Sequence, residues 1–129
     1  MIKKHFFFDM DGTICESRSK LSGEMAEALY KLKSSGKTVT VISGAELDRM
    51  NQQLGDAKVS YLLAQSGADA PFWKYKMTER DEVEVLRHIK QLSIKLELPS
   101  GDDLIQNRGS QRSFSFLGHH ANIEAKKLF

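Results

Sequence analysis

A parallel, doubly wound α/β sheet is the fold class this sequence predicts, and three observations predict it. Apolar runs of strand length alternate with stretches of helical periodicity from Ile2 to Ala64. The first run ends in two aspartates spaced i, i+2 and a glycine, in Phe6-Phe7-Phe8-Asp9-Met10-Asp11-Gly12-Thr13. The second ends in Ser43-Gly44, a turn ahead of another helical stretch. Open α/β sheets gather their functional groups at the carboxyl ends of their strands, and both clusters fall at such ends.

Ile2 to Phe8 reads as a buried strand, followed by a polar loop over residues 14–20. Ser22 is placed to cap a helix that carries Met25, Ala28, Leu29 and Leu32 on one stripe. Lys31 and Lys33 suit the negative end of its dipole, and Gly36 ends it. Thr38 to Ile42 is β-branched and apolar, the composition of a second buried strand. A second helix follows with Leu47, Met50 and Leu54 inward, then a third strand from Val59 to Ala64.

After Gly67 the logic changes. Asp69-Ala70-Pro71 reads as a turn before the short alternating stretch Phe72 to Lys76. Thr78 opens a long helix with Asp81 three residues on, close to a capping box. Its apolar stripe is Val85, Leu86, Ile89, Leu92 and Leu96, and Pro99-Ser100-Gly101 stops it. Asp103 to Gln106 and Arg112 to Leu117 predict two strands joined around Arg108-Gly109-Ser110, and Asn122 begins a last helix. The change places a boundary near residue 77, dividing the chain into residues 1–77 and 78–129.

Composition narrows the function. A net charge of +2 with scattered basic residues gives no nucleic-acid footprint. No run approaches the roughly 20 apolar residues of a membrane span, and Asp9 and Asp11 interrupt the N-terminal apolar run where a signal peptide would continue. The single cysteine, Cys15, excludes an intrachain disulfide framework and fits a reducing compartment, so the expected location is cytoplasmic. Cys15 reads as a small filler side chain.

Two carboxylates this close repel unless a divalent cation or a shared proton offsets them. Ser43, with backbone N–H groups near a helix start, suits a phosphate; taken alone it reads first as an ordinary helix cap, and Asp9 and Asp11 turn the reading to phosphate.

The block Asp9-Met10-Asp11-Gly12-Thr13 resembles the first motif of the haloacid dehalogenase (HAD) superfamily of phosphotransferases. The resemblance implies a Rossmann-like core, here partial, followed by the start of an α+β cap domain. It implies that Asp9 is the nucleophile that takes a phosphoryl group and Asp11 the general acid/base. Mg2+ would sit on the Asp9 carboxylate and the Asp11 backbone carbonyl. Gly12, Thr13, Ser43 and Gly44 would cradle the phosphoryl group.

A closer resemblance is to eukaryotic-type phosphomannomutases, carried by that motif, by Arg18-Ser19-Lys20-Leu21-Ser22 and Glu24-Met25, and loosely by Leu104-Ile105-Gln106-Asn107-Arg108 with Ser115 and Gly118. It implies that Arg18 and Arg108 meet a second phosphate on the substrate, a task the planar guanidinium suits. The sequence departs from that pattern after Gly118, where His119-His120 stand in place of a second cap arginine. A neutral histidine clamps phosphate poorly near pH 7, which favours ester hydrolysis over mutase chemistry.

The later lysine and acidic motif of the superfamily find no counterpart; Gly101-Asp102-Asp103 has the letters of the latter but falls between predicted cap elements. The chain therefore reads as an N-terminal half. The expected activity is Mg2+-dependent hydrolysis or transfer of phosphate from a small phosphorylated metabolite, a sugar phosphate first. The alternatives are an incomplete module that binds phosphate or a partner chain, and a phosphomannomutase. A receiver domain needs its acceptor aspartate after the third strand, where this chain has Gln65-Ser66-Gly67. As an N-terminal half the chain would leave Ile2 to Phe8 as an edge strand, so pairing with a second copy or with the missing C-terminal half is expected.

Overall fold

The computed structural model describes residues 3–98 and 104–128. The chain divides into two compact units, Met1–Tyr75 and Lys76–Phe129.

The first unit is built on three parallel strands in the order β1-β2-β3: β1 His5–Asp9, β2 Thr38–Ile42 and β3 Tyr61–Leu63. Helix α1, Gly23–Ser34, links the first two, and α2, Leu47–Leu54, the second and third. The α1 start is the expected one: the Ser22 hydroxyl accepts the Met25 N–H at 3.2 Å, satisfying one of the donors every helix start leaves over. Register pairs Phe8 with Val41 and Val41 with Leu62. Paired residues of a parallel sheet share a face, and these pack in one apolar cluster with Leu29 of α1 and with Met50 and Leu54 of α2. Both helices thus cover the same face.

The opposite face carries Phe7 and Tyr61, and it corrects one expectation. β1 is not a buried strand: Phe7 is 65% exposed, and only Phe6 and Phe8 turn inward, their rings stacked 6.4 Å apart. Among the described residues β1 pairs with β2 alone, so the apolar run stands at a sheet edge, as expected of an N-terminal half. Its predicted first residue, Ile2, lies outside the described residues. β3 is shorter than the apolar run suggests, because Ala64 leaves the ladder to bridge Asp69. Ala28, placed on the inner stripe of α1, is exposed; Leu29 and half-buried Met25 and Leu32 do the packing.

After β3 a 3-10 turn, Gln65–Gly67, leads into a small hairpin of β4, Asp69–Ala70, and β5, Trp73–Lys74. Asp69-Ala70 is therefore strand rather than turn, and Pro71-Phe72 make the bend. The Tyr61 and Phe72 rings meet edge to face at 6.3 Å.

In the second unit, α3 spans Glu79–Lys95 behind the Thr78 cap, whose hydroxyl accepts the Asp81 N–H at 3.2 Å. β6, Ile105–Asn107, pairs antiparallel with β7, Arg112–Phe114. Asn122 caps α4, Ile123–Leu128, through the Ala125 N–H. Pro99 to Asp103, assigned to a helix stop and the start of a strand, lie outside the described residues. The apolar stripe of α3 is only partly used: Val85, Leu86 and Ile89 are half-buried, while Leu92 and Leu96 are exposed. Within this unit the Arg112 side chain, 5% exposed, donates to Glu82 of α3 from Nη2 at 2.6 Å and from Nε at 3.2 Å.

Candidate active site

The carboxyl ends of β1 and β2 lie side by side, since Asp9 is paired with Ile42. Asp9, Asp11, Gly12, Thr13, Ser43 and Gly44 are therefore brought to one end of the sheet by the ladder itself. β1 stops at Asp9, and the next residues wind into a tight turn around the Met10 carbonyl, which accepts N–H bonds from Thr13, Ile14 and Cys15. Gly12 has a φ of +81°, a backbone that residues with a Cβ rarely adopt.

The turn separates the two carboxylates. Asp9 is exposed, and one of its oxygens accepts the Thr13 hydroxyl at 3.3 Å. Asp11 lies past the strand, so strand alternation no longer fixes its direction. Its Oδ1 accepts the Gln53 amide at 2.8 Å and the Arg18 N–H at 3.0 Å, and its Oδ2 accepts Arg49 Nη2 at 2.5 Å. The repulsion expected between two neighbouring acids is thus offset at Asp11 by an arginine and an amide. Burial pushes the Asp11 carboxyl up. The Gln53 hydrogen bond, the Arg18 N–H and the Arg49 charge outweigh burial and hold it below the usual aspartate range. Burial, then the Asp11 charge, pushes the neighbouring Cys15 thiol up, which suits the filler assigned to it.

Ser43 is buried and is not the cap of α2, which starts four residues later behind Glu46. The Ser43 hydroxyl instead accepts the Ala45 N–H at 3.1 Å, closing a local turn. Gln65 and Ser66 hold that turn from β3: their N–H groups donate to the Ala45 and Ser43 carbonyls at 2.9 and 2.8 Å. Both have positive φ, 50° and 59°, a strained backbone of the sort that gathers at functional sites.

Arg18 also has positive φ, 59°; its backbone N–H bonds Asp11, and its charge also favours the Asp11 carboxylate. Arg108 belongs to the second unit, where its guanidinium donates to the Gln106 side-chain oxygen at 3.0 Å. His119 there bonds the Ser113 carbonyl at 2.9 Å, a structural use.

Sequence reasoning missed Arg49, Gln53 and the Gln65-Ser66 turn. A signal for the first two was present: they stand i, i+4 on α2, and Gln53 abuts the predicted inner face beside Leu54.

Among the described residues no group of three or more His, Cys, Asp or Glu gathers to hold a metal. The turn after β1 offers the Asp9 carboxylate and backbone carbonyls, because both Asp11 oxygens are committed elsewhere. That donor set fits Mg2+, which keeps several waters and takes one or two carboxylates plus substrate phosphate.

The family model for haloacid dehalogenase-like hydrolases matches residues 6–126, and the chain belongs to that family. Among curated proteins it is 27% identical to a phosphomannomutase of Encephalitozoon cuniculi, over 98% of this chain and 54% of that protein. It is 35% identical to human phosphomannomutase 1 over 46% of this chain and 24% of that one. The chain thus spans about half the length of these relatives, or less. Among solved structures, a haloacid dehalogenase-like hydrolase from B. subtilis aligns with a TM-score of 0.57, 20% identity, 70% of this chain and 34% of that one. A HAD-superfamily phosphatase from Bacteroides thetaiotaomicron aligns with a TM-score of 0.55, 18% identity, and 74% and 37% coverage. These likenesses are of fold. Among the described residues no helix is long and apolar enough to cross a membrane.

Proposed function

We propose that this chain carries the nucleophile and acid–base half of a phosphoryl-transfer site that hydrolyses the phosphate ester of a small metabolite, a sugar phosphate first. The observation that carries this reading is the exposed Asp9 at the end of β1, beside the Ser43 turn and one residue from an Asp11 held by its own partners. Asp9 attacks phosphorus, the P–O bond to the leaving alcohol breaks, and an aspartyl-phosphate results. Asp11 gives its proton to the leaving oxygen and then takes one from the water that opens the acyl phosphate, releasing inorganic phosphate. The Gln53, Arg18 and Arg49 contacts favour the ionised Asp11 that the second step needs, so the proton given in the first step is one the carboxyl takes up from solvent before attack. Mg2+, held by the Asp9 carboxylate and the Asp11 carbonyl, would supply positive charge against the phosphoryl oxygens. Gly12, Thr13, Ser43 and Gly44 line the region that faces the same oxygens, with the Thr13 and Ser43 hydroxyls as its donors, since the N–H groups of Gly12, Thr13 and Ser43 are bound to backbone carbonyls.

The likeness to phosphomannomutases keeps sugar phosphates foremost as substrates, with Arg18 in the first unit and Arg108 in the second each a candidate phosphate contact. A second reading, an incomplete module that binds phosphate or a partner without turnover, is favoured by the 54% coverage of the E. cuniculi relative. Under either reading the open β1 edge is filled by a second copy or by a C-terminal half, and the single cysteine suits a reducing, cytoplasmic compartment.

The test is beryllofluoride with magnesium, read by fluorine NMR, together with hydrolysis of an aryl phosphate. A fluoride signal that disappears in Asp9→Asn supports the assignment. In Asp11→Asn, turnover drops by about 100-fold or more. Hydrolysis that survives in Asp9→Asn overturns the reading.

A further inference from the structure

We infer that Gln53, acting with Arg49, is a positioning residue that aims the Asp11 carboxylate for proton transfer. The inference rests on the phosphoryl-transfer reading above.

Gln53 is 5% exposed, in the face of α2 that carries Met50 and Leu54. A buried amide there costs stability unless its polar atoms are paired, and a leucine would fill the space without that demand. Its pairing is complete and directed. Nε2 donates to Asp11 Oδ1 at 2.8 Å and to the Ser19 carbonyl at 3.1 Å, with Cys15 Sγ a weaker neighbour at 3.6 Å. Oε1 accepts Arg49 Nε at 3.2 Å. Arg49 in turn donates through Nη2 to Asp11 Oδ2. Asp11, Arg49 and Gln53 close a ring in which each carboxylate oxygen has a side-chain donor from α2.

One amide thus holds both the turn after β1, through Asp11, and the loop before α1, through Ser19. The helix that carries it follows the Ser43 turn directly. The proton-transferring carboxylate and the phosphate-facing turn are therefore referenced to the same eight-residue helix. The ion pair with Arg49 holds only one carboxylate oxygen and by itself would add little. On the other oxygen Gln53 joins the Arg18 N–H at 3.0 Å and supplies the shorter bond, at 2.8 Å, from a side chain that is itself fixed in the packed face of α2.

The test reads Asp11 directly in the 129-residue chain. Three-bond couplings at its β-protons report the χ1 rotamer, and a carbon label reports the carboxyl. The native chain shows a single rotamer. Gln53→Leu, which keeps the packing, averages the couplings and shifts the carboxyl resonance; Arg49→Lys, which keeps charge without the fork, has a smaller effect. The β2 amide signals stay in place, separating misorientation from unfolding. If Gln53→Leu does not fold, Arg49→Ala decides by the same readout. A single unshifted Asp11 rotamer in the folded variants overturns the inference. Kinetically, kcat for an aryl phosphate falls about tenfold or more in Gln53→Leu at constant KM, and a change confined to KM overturns it as well. If Asp9→Asn leaves turnover intact while the Asp11 rotamer still depends on Gln53, the phosphoryl-transfer reading fails and the geometric claim survives.

Discussion

Position 12 makes the turn after β1 possible. With φ at +81°, Gly12 occupies a region where a Cβ costs about 1–2 kcal/mol, although a methyl group there would meet nothing within 4 Å. Gly12→Ala should therefore destabilise the first unit by about 1–2 kcal/mol through backbone strain alone, seen as a lower urea midpoint with an unchanged slope. An unchanged midpoint would mean that the turn relaxes to negative φ. The motif around Gly12 was legible because its letters are dense: two acids, a glycine and a hydroxyl after an apolar run. The direction of Asp11 was not legible, because it is set by Arg49 and Gln53, about forty residues away, and no local pattern encodes that contact.

Elements with their own start signals were the readable ones. Ser22 and Thr78 both cap as their sequence context requires, and β2 runs over the residues its β-branched composition marks. Burial was less readable. A phenylalanine run is the same letters at a sheet's centre and at its edge, and only the count of neighbouring strands decides which. The same holds for α3, whose apolar stripe is periodic yet half outside. The Arg112–Glu82 pair ties α3 to the hairpin, with the Arg112 side chain almost wholly covered. Arg112→Ala leaves Glu82 without its partner and should cost about 1–3 kcal/mol, on the scale of lost hydrogen bonds to a charged group. Hydrogen exchange of the β6 and β7 amides is the measure: they should exchange about 5- to 100-fold faster, and unchanged protection would show that packing alone holds the hairpin.

For the whole molecule, the composition of the site sets the expectation. Among the described residues, the exposed Asp9 carboxylate and backbone carbonyls are offered to a divalent cation, the Asp11 oxygens are bound by Arg49 and Gln53, and no group of three or more His, Cys, Asp or Glu gathers to hold one. The 129-residue chain should bind Mg2+ weakly, with millimolar rather than micromolar affinity by calorimetry, and turn an aryl phosphate over slowly. Tight Mg2+ binding with brisk hydrolysis, both lost in Asp9→Asn, would show that these residues suffice.

The exposed Phe7 has a consequence for handling the protein. A flat edge strand with an uncovered phenylalanine is a template on which other chains add strands, so the shelf life of a solution of this chain is set by its concentration. Precipitation should steepen with concentration while the fold itself is intact. Placing a lysine on that face, Phe7→Lys, is expected to raise the saturation concentration several-fold with little change in melting temperature, because the side chain it replaces is mostly in water already. If solubility is unmoved and the melting temperature collapses, Phe7 is covered in solution and the strand has found its neighbour.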